Sequence, residues 1–384
     1  MSTPGGRRSS GAASAAPQET MDDETMEEYA EIFAHMRARD ENRARAGDVS
    51  GLWTTANDTI SILSSRFVTE PNVDFNDSWT FQLQYLWHLY YVTGKYCLEA
   101  AVAPAILQLL EISQRGLLTR NRIGSSGAIE VEHAPVVVRV GSHIIQQYLW
   151  QDLPFLVPDM TSYWLQDCAR MSSSQRARIC GFWASLAAAS SAPWAYGLCR
   201  IALMVLRDTL ETQRRLVRAG VEPGGDDSEN AGRTTDMLTV ADLLRAARPW
   251  LARAGGRITQ LCEAGDGNAA AALTVPVPDE VSQLGPLAQA AGVRAVPGGF
   301  SSQRWFFWLR RLDEIGAETS PQGMADSSSA MGMTSPFLQK VQLEKKEARS
   351  VARDMIYAAS QSNSTIVQEL MRVGRVPLED LGSN

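Results

Sequence analysis

Between residues 143 and 218 the chain carries Trp150, Trp164, Trp183 and Trp194 on what read as consecutive helices, and any stable fold must withdraw these rings from water. Full burial of one tryptophan removes roughly 150–250 Å² from solvent, about 4–6 kcal/mol gross at ~25 cal/mol per Å² before entropy is subtracted. The hydroxyls of Ser172 to Ser174 are suited to cap a helix, and Ile179, Phe182, Trp183, Leu186 and Ala187 follow at i, i+3, i+4, i+7 and i+8. The other residues of this segment are largely Ala and Ser, so neighbours can approach on several sides, and it is expected to be a central, buried helix.

Beyond a break at Pro193, Tyr196, Leu198, Ile201, Val205 and Leu206 share one side of a second helix. Arg200, Arg207, Asp208, Glu211 and Arg214 fall on the other, and Gly220 stands past its end. Upstream, Trp150-Gln151-Asp152-Leu153-Pro154-Phe155 is expected to end a helix, since a proline ring disfavours α geometry in the residue before it.

The flanks read the same way. Residues 22–45 are acidic first and basic last, which complements a helix dipole, and Met26, Tyr29, Phe33 and Met36 form a narrow stripe. That stripe suits packing on the chain's own domain or on a partner helix, and it supplies the candidate partner-binding residues. A second helix runs through Leu52, Ile60 and Phe67, and a third follows the Asn76-Asp77-Ser78 cap cluster with Trp79, Leu83, Leu86, Trp87, Tyr90 and Tyr91. A fourth spans residues 103–113. Residues 120–138 read as a loop in which Val136-Val137-Val138 is either a short strand or a helix start. Further on, a helix through Leu243, Leu244 and Ala247 is expected to break at Pro249, with a short helix at 258–263 ending in the Gly265-Asp266-Gly267 turn. The last strongly apolar helix aligns Trp305, Trp308, Leu309, Leu312 and Ile315.

The expected fold is therefore all-α: antiparallel helix hairpins packed in series around a Trp-rich core, an irregular helical array without a fixed repeat. Its expected organisation is a disordered Gly/Ser/Ala/Pro-rich tail over residues 1–20 and an all-helical domain over 21–316 with a mobile loop at 221–237. A flexible linker follows over 317–335, then C-terminal helices over 336–374 that pack on the main domain, and a tail over 375–384.

Composition bounds the function. A net charge of −7 argues against general attraction to nucleic-acid phosphates, which needs clustered Lys and Arg. The five cysteines form no C-x-x-C pair and most sit in apolar helical runs, the pattern of small buried hydrophobes in a reducing compartment. No run approaches 18 apolar residues, so no membrane span is expected. The expected location is cytoplasmic, with the nucleus left open, and the sequons at Asn57, Asn76 and Asn363 are expected to go unglycosylated.

Tests for chemistry give little. The four histidines, His35, His88, His133 and His143, form no i,i+4 pair, so neither a metal site nor a cofactor is expected. Phosphate-cradling glycine motifs and a nucleophile elbow are absent. Asn57-Asp58-x-x-Ser61 begins like the second metal motif of terpene cyclases, yet Ser65 stands where that motif needs a carboxylate. No catalytic residue is assigned.

Leu86-Trp87-His88-Leu89-Tyr90-Tyr91 with Lys95, followed by Leu149-Trp150-x-Asp152-Leu153-Pro154-Phe155, resembles a filamentous-fungal family catalogued as a domain of unknown function. The likeness covers roughly residues 50–215 and implies an intracellular all-α protein with no catalytic residues to carry over. Two functions fit. The first is a non-catalytic interaction or scaffold protein for a protein partner. The alternative is a binding or accessory protein, enzymatic or not, for a hydrophobic metabolite of fungal secondary metabolism. Trp150, Trp164 and Trp183, with Asp152, Asp167 or His143 converging on them, would be its ligand site.

Overall fold

The computed structural model describes residues 23–69, 77–116, 118–123, 126–133, 135–140, 143–217, 228–266, 279–317, 336–361 and 365–372. The 1–20 and 375–384 tails, residues 221–227 of the expected loop and 318–335 of the expected linker lie outside the described residues, as do Asn76, Gly220, Gly267 and Asn363.

The fold is all-α. Helices α1 (Asp23–Arg45) and α2 (Val49–Thr69) pack on α3 (Asp77–Tyr96), and α4 (Glu99–Gln114) follows. After two small strand pairs come α5 (Leu156–Asp167), α6 (Ser173–Ala189) and α7 (Pro193–Leu206). Then follow α8 (Val240–Asp266), the short α9 (Asp279–Ser282) and α10 (Pro286–Ala290), α11 (Ser302–Ala317), α12 (Pro336–Ser360) and α13 (Thr365–Arg372).

Helix α6 is central. It packs along α8 and also touches α3, α4 and α7. Its start is fixed as its sequence dictates: Ser172 accepts from the Gln175 amide, and the Gln175 side chain accepts from the Ser172 amide, a complete capping box. Trp79, Trp87, Trp164, Trp183, Trp250, Trp305 and Trp308 are all fully buried, so the core is tryptophan-rich along its length.

Two local expectations are corrected. Two antiparallel strand pairs stand where a loop and the start of a Trp150-bearing helix were expected, and of the two alternatives left open for Val136-Val137-Val138 the strand is the one found. Strand β1 (Thr119–Ile123) pairs with β2 (Ile129–His133), and β3 (Pro135–Val140) with β4 (His143–Tyr148), Pro135 opposite Tyr148 and Val140 opposite His143. The run Val136-Val137-Val138 faces Gln147, Gln146 and Ile145 across the pair. Such a short apolar run has no period to tell strand from helix until its partner is known.

Helix α8 is also continuous through Pro249 and Gly265, where a break and a turn were expected. A proline there removes one backbone hydrogen bond, and burial of Leu243, Leu244, Ala247, Trp250, Leu251 and Ala254 around it offsets the loss.

The Leu149–Phe155 segment is a tight turn, with left-handed backbone at Trp150 (φ 69°), Leu153 (φ 45°) and Phe155 (φ 66°). Such conformations in bulky residues persist only when the surroundings hold them. Here Trp87 Nε1 donates to the Pro154 carbonyl at 2.6 Å, Trp150 Nε1 donates to Ser64 Oγ at 3.0 Å, and the Tyr148 amide donates to Asp152 Oδ2 at 2.7 Å. The Leu-Trp-x-Asp-Leu-Pro segment thus ties α2, α3 and α5 together.

A candidate ligand cleft between α4, α6 and α8

The tryptophans do not form an open wall. Trp164 and Trp183 meet edge to face at 6.1 Å, both withdrawn from solvent. Trp150 and Asp152 belong to the turn just described. His143 lies on β4, and its side chain lies outside the described residues. The structure therefore brings Trp164 and Trp183 together as core packing, and places Trp150 and Asp152 in a backbone-holding role.

The stripe on α1 is also occupied from within the chain. Phe33 stacks on Phe81 at 5.7 Å and leans on Tyr85 at 5.6 Å, Tyr29 stacks on Phe81 at 6.4 Å, and Met36 packs on the same core. The side chain of Met26 lies outside the described residues.

An open space lies elsewhere. A cleft of ≈ 330 Å³ runs between α4, α6 and α8, lined by Cys97, Val102, Ile106, Phe182 and Pro249, with Glu99, Arg178, Ser185 and Arg253 on its polar side. Glu99, Val102 and Ile106 stand at i, i+3 and i+7 on α4, Arg178, Phe182 and Ser185 at i, i+4 and i+7 on α6, and Pro249 and Arg253 one turn apart on α8. Gly94 at the end of α3 lets α6 come close, since a Cβ there would meet Ile179 Cδ1 at 2.7 Å and Phe182 Cδ1 at 2.9 Å. That approach seats the Phe182 ring.

Arg253 is held in place. Its Nη1 donates to the Gly181 carbonyl at 3.1 Å and to Ser185 Oγ at 2.9 Å, and its Nη2 to Glu99 Oε1 at 2.5 Å. Arg178 Nε donates to the Lys95 carbonyl at 3.1 Å. Two guanidiniums face one carboxylate, so the polar side carries net positive charge above an apolar floor. Burial raises the Cys97 pKa, which keeps it a thiol and argues against nucleophilic use. The arrangement suits binding of an amphipathic molecule; it holds no acid–base pair of its own.

The sequence reading missed this cleft because a helix break assumed at Pro249 kept Pro249 and Arg253 from being placed on one face.

A second polar cluster joins α1, α3 and α5. Lys95, 5% exposed, donates to Asp167 Oδ2 at 3.1 Å and pairs with Glu229 Oε1 at 3.4 Å, and Tyr91 and Tyr96 donate to Asp167 and Glu229. Glu229 falls within the loop expected at 221–237, and Arg45 and Gln175 also bind it. Nearby, burial pushes the Asp159 carboxyl up to about 8 and the His88 imidazole down to about 4, with the Arg37 guanidinium acting on both. Among the described residues no group of three or more His, Cys, Asp or Glu side chains is placed to hold a metal ion, and no helix is long and apolar enough to cross a membrane.

Fold and cleft together define a class: a tryptophan-cored all-α protein with an amphipathic cleft. The chain belongs to the family described as protein of unknown function DUF3632, whose model matches residues 96–312, a span that contains the whole cleft. It is also similar to the oxopyrrolidines biosynthesis cluster protein G of Penicillium oxalicum, 33% identical over 251 residues. That match takes in 64% of this chain and 63% of the relative, so it spans less than two thirds of the relative's length. No solved structure matches.

Proposed function

We propose that this protein is an accessory protein of fungal secondary metabolism that binds a small, largely apolar molecule carrying a polar or anionic group. The observation that carries the reading is the α4–α6–α8 cleft, whose ≈ 330 Å³ falls within the range of small-ligand sites and whose apolar floor is rimmed by Arg178 and Arg253. The relative from an oxopyrrolidine biosynthesis cluster supports the metabolic setting. The reading as a scaffold for a protein partner drew on the α1 stripe and on the segments 221–237 and 317–335 as partner-facing parts; of these, the stripe residues Tyr29, Phe33 and Met36 pack on the chain's own core.

The test is native mass spectrometry of the protein gently isolated from a producing fungal culture, alongside the Ile106→Trp variant, which fills the cleft. A co-purifying molecule of constant mass, present on the unaltered protein and absent from the variant, supports the proposal. A ligand retained equally by both proteins, or a second polypeptide in place of a small molecule, counts against it.

A further inference from the structure

The two arginines that rim the cleft are committed to different degrees. Arg253 has little left to offer a ligand: Nη1 is divided between the Gly181 carbonyl and Ser185 Oγ, and Nη2 holds Glu99 Oε1. Arg178 is half-buried, and the donation from its Nε to the Lys95 carbonyl is its one hydrogen bond among the described residues. Its Nη1 and Nη2, the forked end of the guanidinium, have no partner there and stay open to solvent in a residue that lines the cleft.

Both guanidiniums belong to one face of α6. Arg253 rests over Gly181, where a Cβ would stand 3.4 Å from its Nη1, and Arg178 comes one turn before Gly181. Glu99, on the first turn of α4, is 77% exposed and meets Arg253 through a single oxygen, an ion pair of a kind that adds little to stability. Its effect on the cleft is electrostatic. It cancels the charge of Arg253 and leaves Arg178 as the uncompensated cation of the lining.

Building on the ligand-binding reading of this cleft, we infer that the ligand is an apolar monocarboxylic acid whose carboxylate is gripped by Arg178 Nη1 and Nη2, and that Glu99 sets this preference by keeping Arg253 occupied. A carboxylate offers two oxygens to the two parallel N–H groups of the fork. Val102, Ile106 and Phe182 receive the apolar body. A head with two negative charges, a geminal dicarboxylate or a phosphate monoester, brings a second charge that meets Glu99 where it would need a free cation. Arg253 is a positioning residue here, and Glu99 determines specificity.

The experiment is isothermal titration calorimetry of the full chain at slightly alkaline pH with octanoate, with its neutral counterpart octanamide, and with hexylmalonate, which is octanoate bearing a second carboxylate beside the first. The proteins are the unaltered chain, Ile106→Trp, Arg178→Gln and Glu99→Gln. Octanoate is expected to bind the unaltered chain saturably, at least about tenfold tighter than octanamide or hexylmalonate, and to be lost in Ile106→Trp. Arg178→Gln should weaken octanoate at least about tenfold. Glu99→Gln should narrow the preference for octanoate over hexylmalonate at least about fivefold, a change in selectivity that a merely structural ion pair would not produce. That variant alters an exposed side chain, so it serves even where Arg178→Gln fails to fold. Octanamide binding as tightly as octanoate, yet lost in Ile106→Trp, would overturn the carboxylate assignment and leave the cleft in place. Octanoate binding that survives Ile106→Trp would put the site elsewhere and overturn both readings. An unchanged preference in Glu99→Gln, an octanoate affinity untouched by Arg178→Gln, or no binding of any probe would overturn the inference, and native mass spectrometry would then decide the cleft by itself.

Discussion

Arg304 and Glu211 stand 93 residues apart in the chain and meet with both side chains wholly withdrawn from solvent. Glu211 ends a π-helical turn, Arg207–Glu211, that prolongs α7, and it also accepts from Trp308 Nε1 at 2.7 Å and from the Gly285 amide at 2.7 Å. Arg304 spends its remaining N–H groups on the carbonyls of Ser282, Gln283 and Gly299. One satisfied pair thus ties α7, the α9–α10 region and α11 into one body.

Removing one partner from such a pair leaves the other charged and buried. Glu211→Gln, which keeps the shape, should cost about 3–5 kcal/mol of unfolding free energy. Urea unfolding measures it, and a cost below about 1 kcal/mol would show that the pair is not what holds these helices.

Trp183 lies at the middle of α6, fully buried against Trp164. Trp183→Ala should cost about 3–5 kcal/mol in the same measurement. A variant as stable as the parent would remove α6 from the centre of the core.

Asp159 gives a pH signature with a definite sign. Its carboxyl titrates near 3.8 in the unfolded chain and near about 8 in the fold, so between these values the folded state holds a proton that the unfolded state has released. Stability therefore declines as pH rises through that window and levels above it. His88 acts oppositely between about 4 and 6.5, where the folded state binds fewer protons and stability rises with pH. From pH 6.5 to 8 the Asp159 contribution runs unopposed by His88. Asp159→Asn should flatten the decline there, read from urea midpoints at pH 6.5, 7.3 and 8. A slope unaltered by the substitution would mean that Asp159 ionises freely in the fold.

Gly265 sits in the last turn of α8, where a Cβ would collide with the Phe300 carbonyl oxygen, a backbone atom that cannot rotate away. Gly265→Ala should lower stability by about 1–3 kcal/mol. An unchanged Tm would show that the 299–301 segment yields easily.

The α7 face illustrates where a pattern stops informing. Arg200, Arg207, Asp208, Glu211 and Arg214 read from spacing as the polar side of one helix, but α7 ends at Leu206, Arg207–Glu211 is a π-helical turn, Arg214 lies beyond it, and Arg200 and Glu211 are buried. What the spacing does not say is that Glu211 finds Arg304, that Arg214 caps the Asp208, Thr235 and Leu238 carbonyls, or that Arg200 Nε and Nη2 have no hydrogen-bond partner among the described residues. The same holds for the cleft. Val102 and Ile106 show their spacing within α4, but the gap between α4, α6 and α8 exists only once all three are packed.

The sequence by itself determined the all-α class, the buried course of α6, its Ser172–Gln175 capping box and the tryptophan-rich core, because periodicity, capping and burial of large rings are written in neighbouring residues. The tertiary structure alone decided the strand pairs β1–β2 and β3–β4, the passage of α8 through Pro249, the use of the Leu149–Phe155 turn as a tie between helices, and the partners of Glu211. Each of these rests on contacts between residues distant in the chain, whose free energy is fixed by what packing brings together and leaves no local period to read.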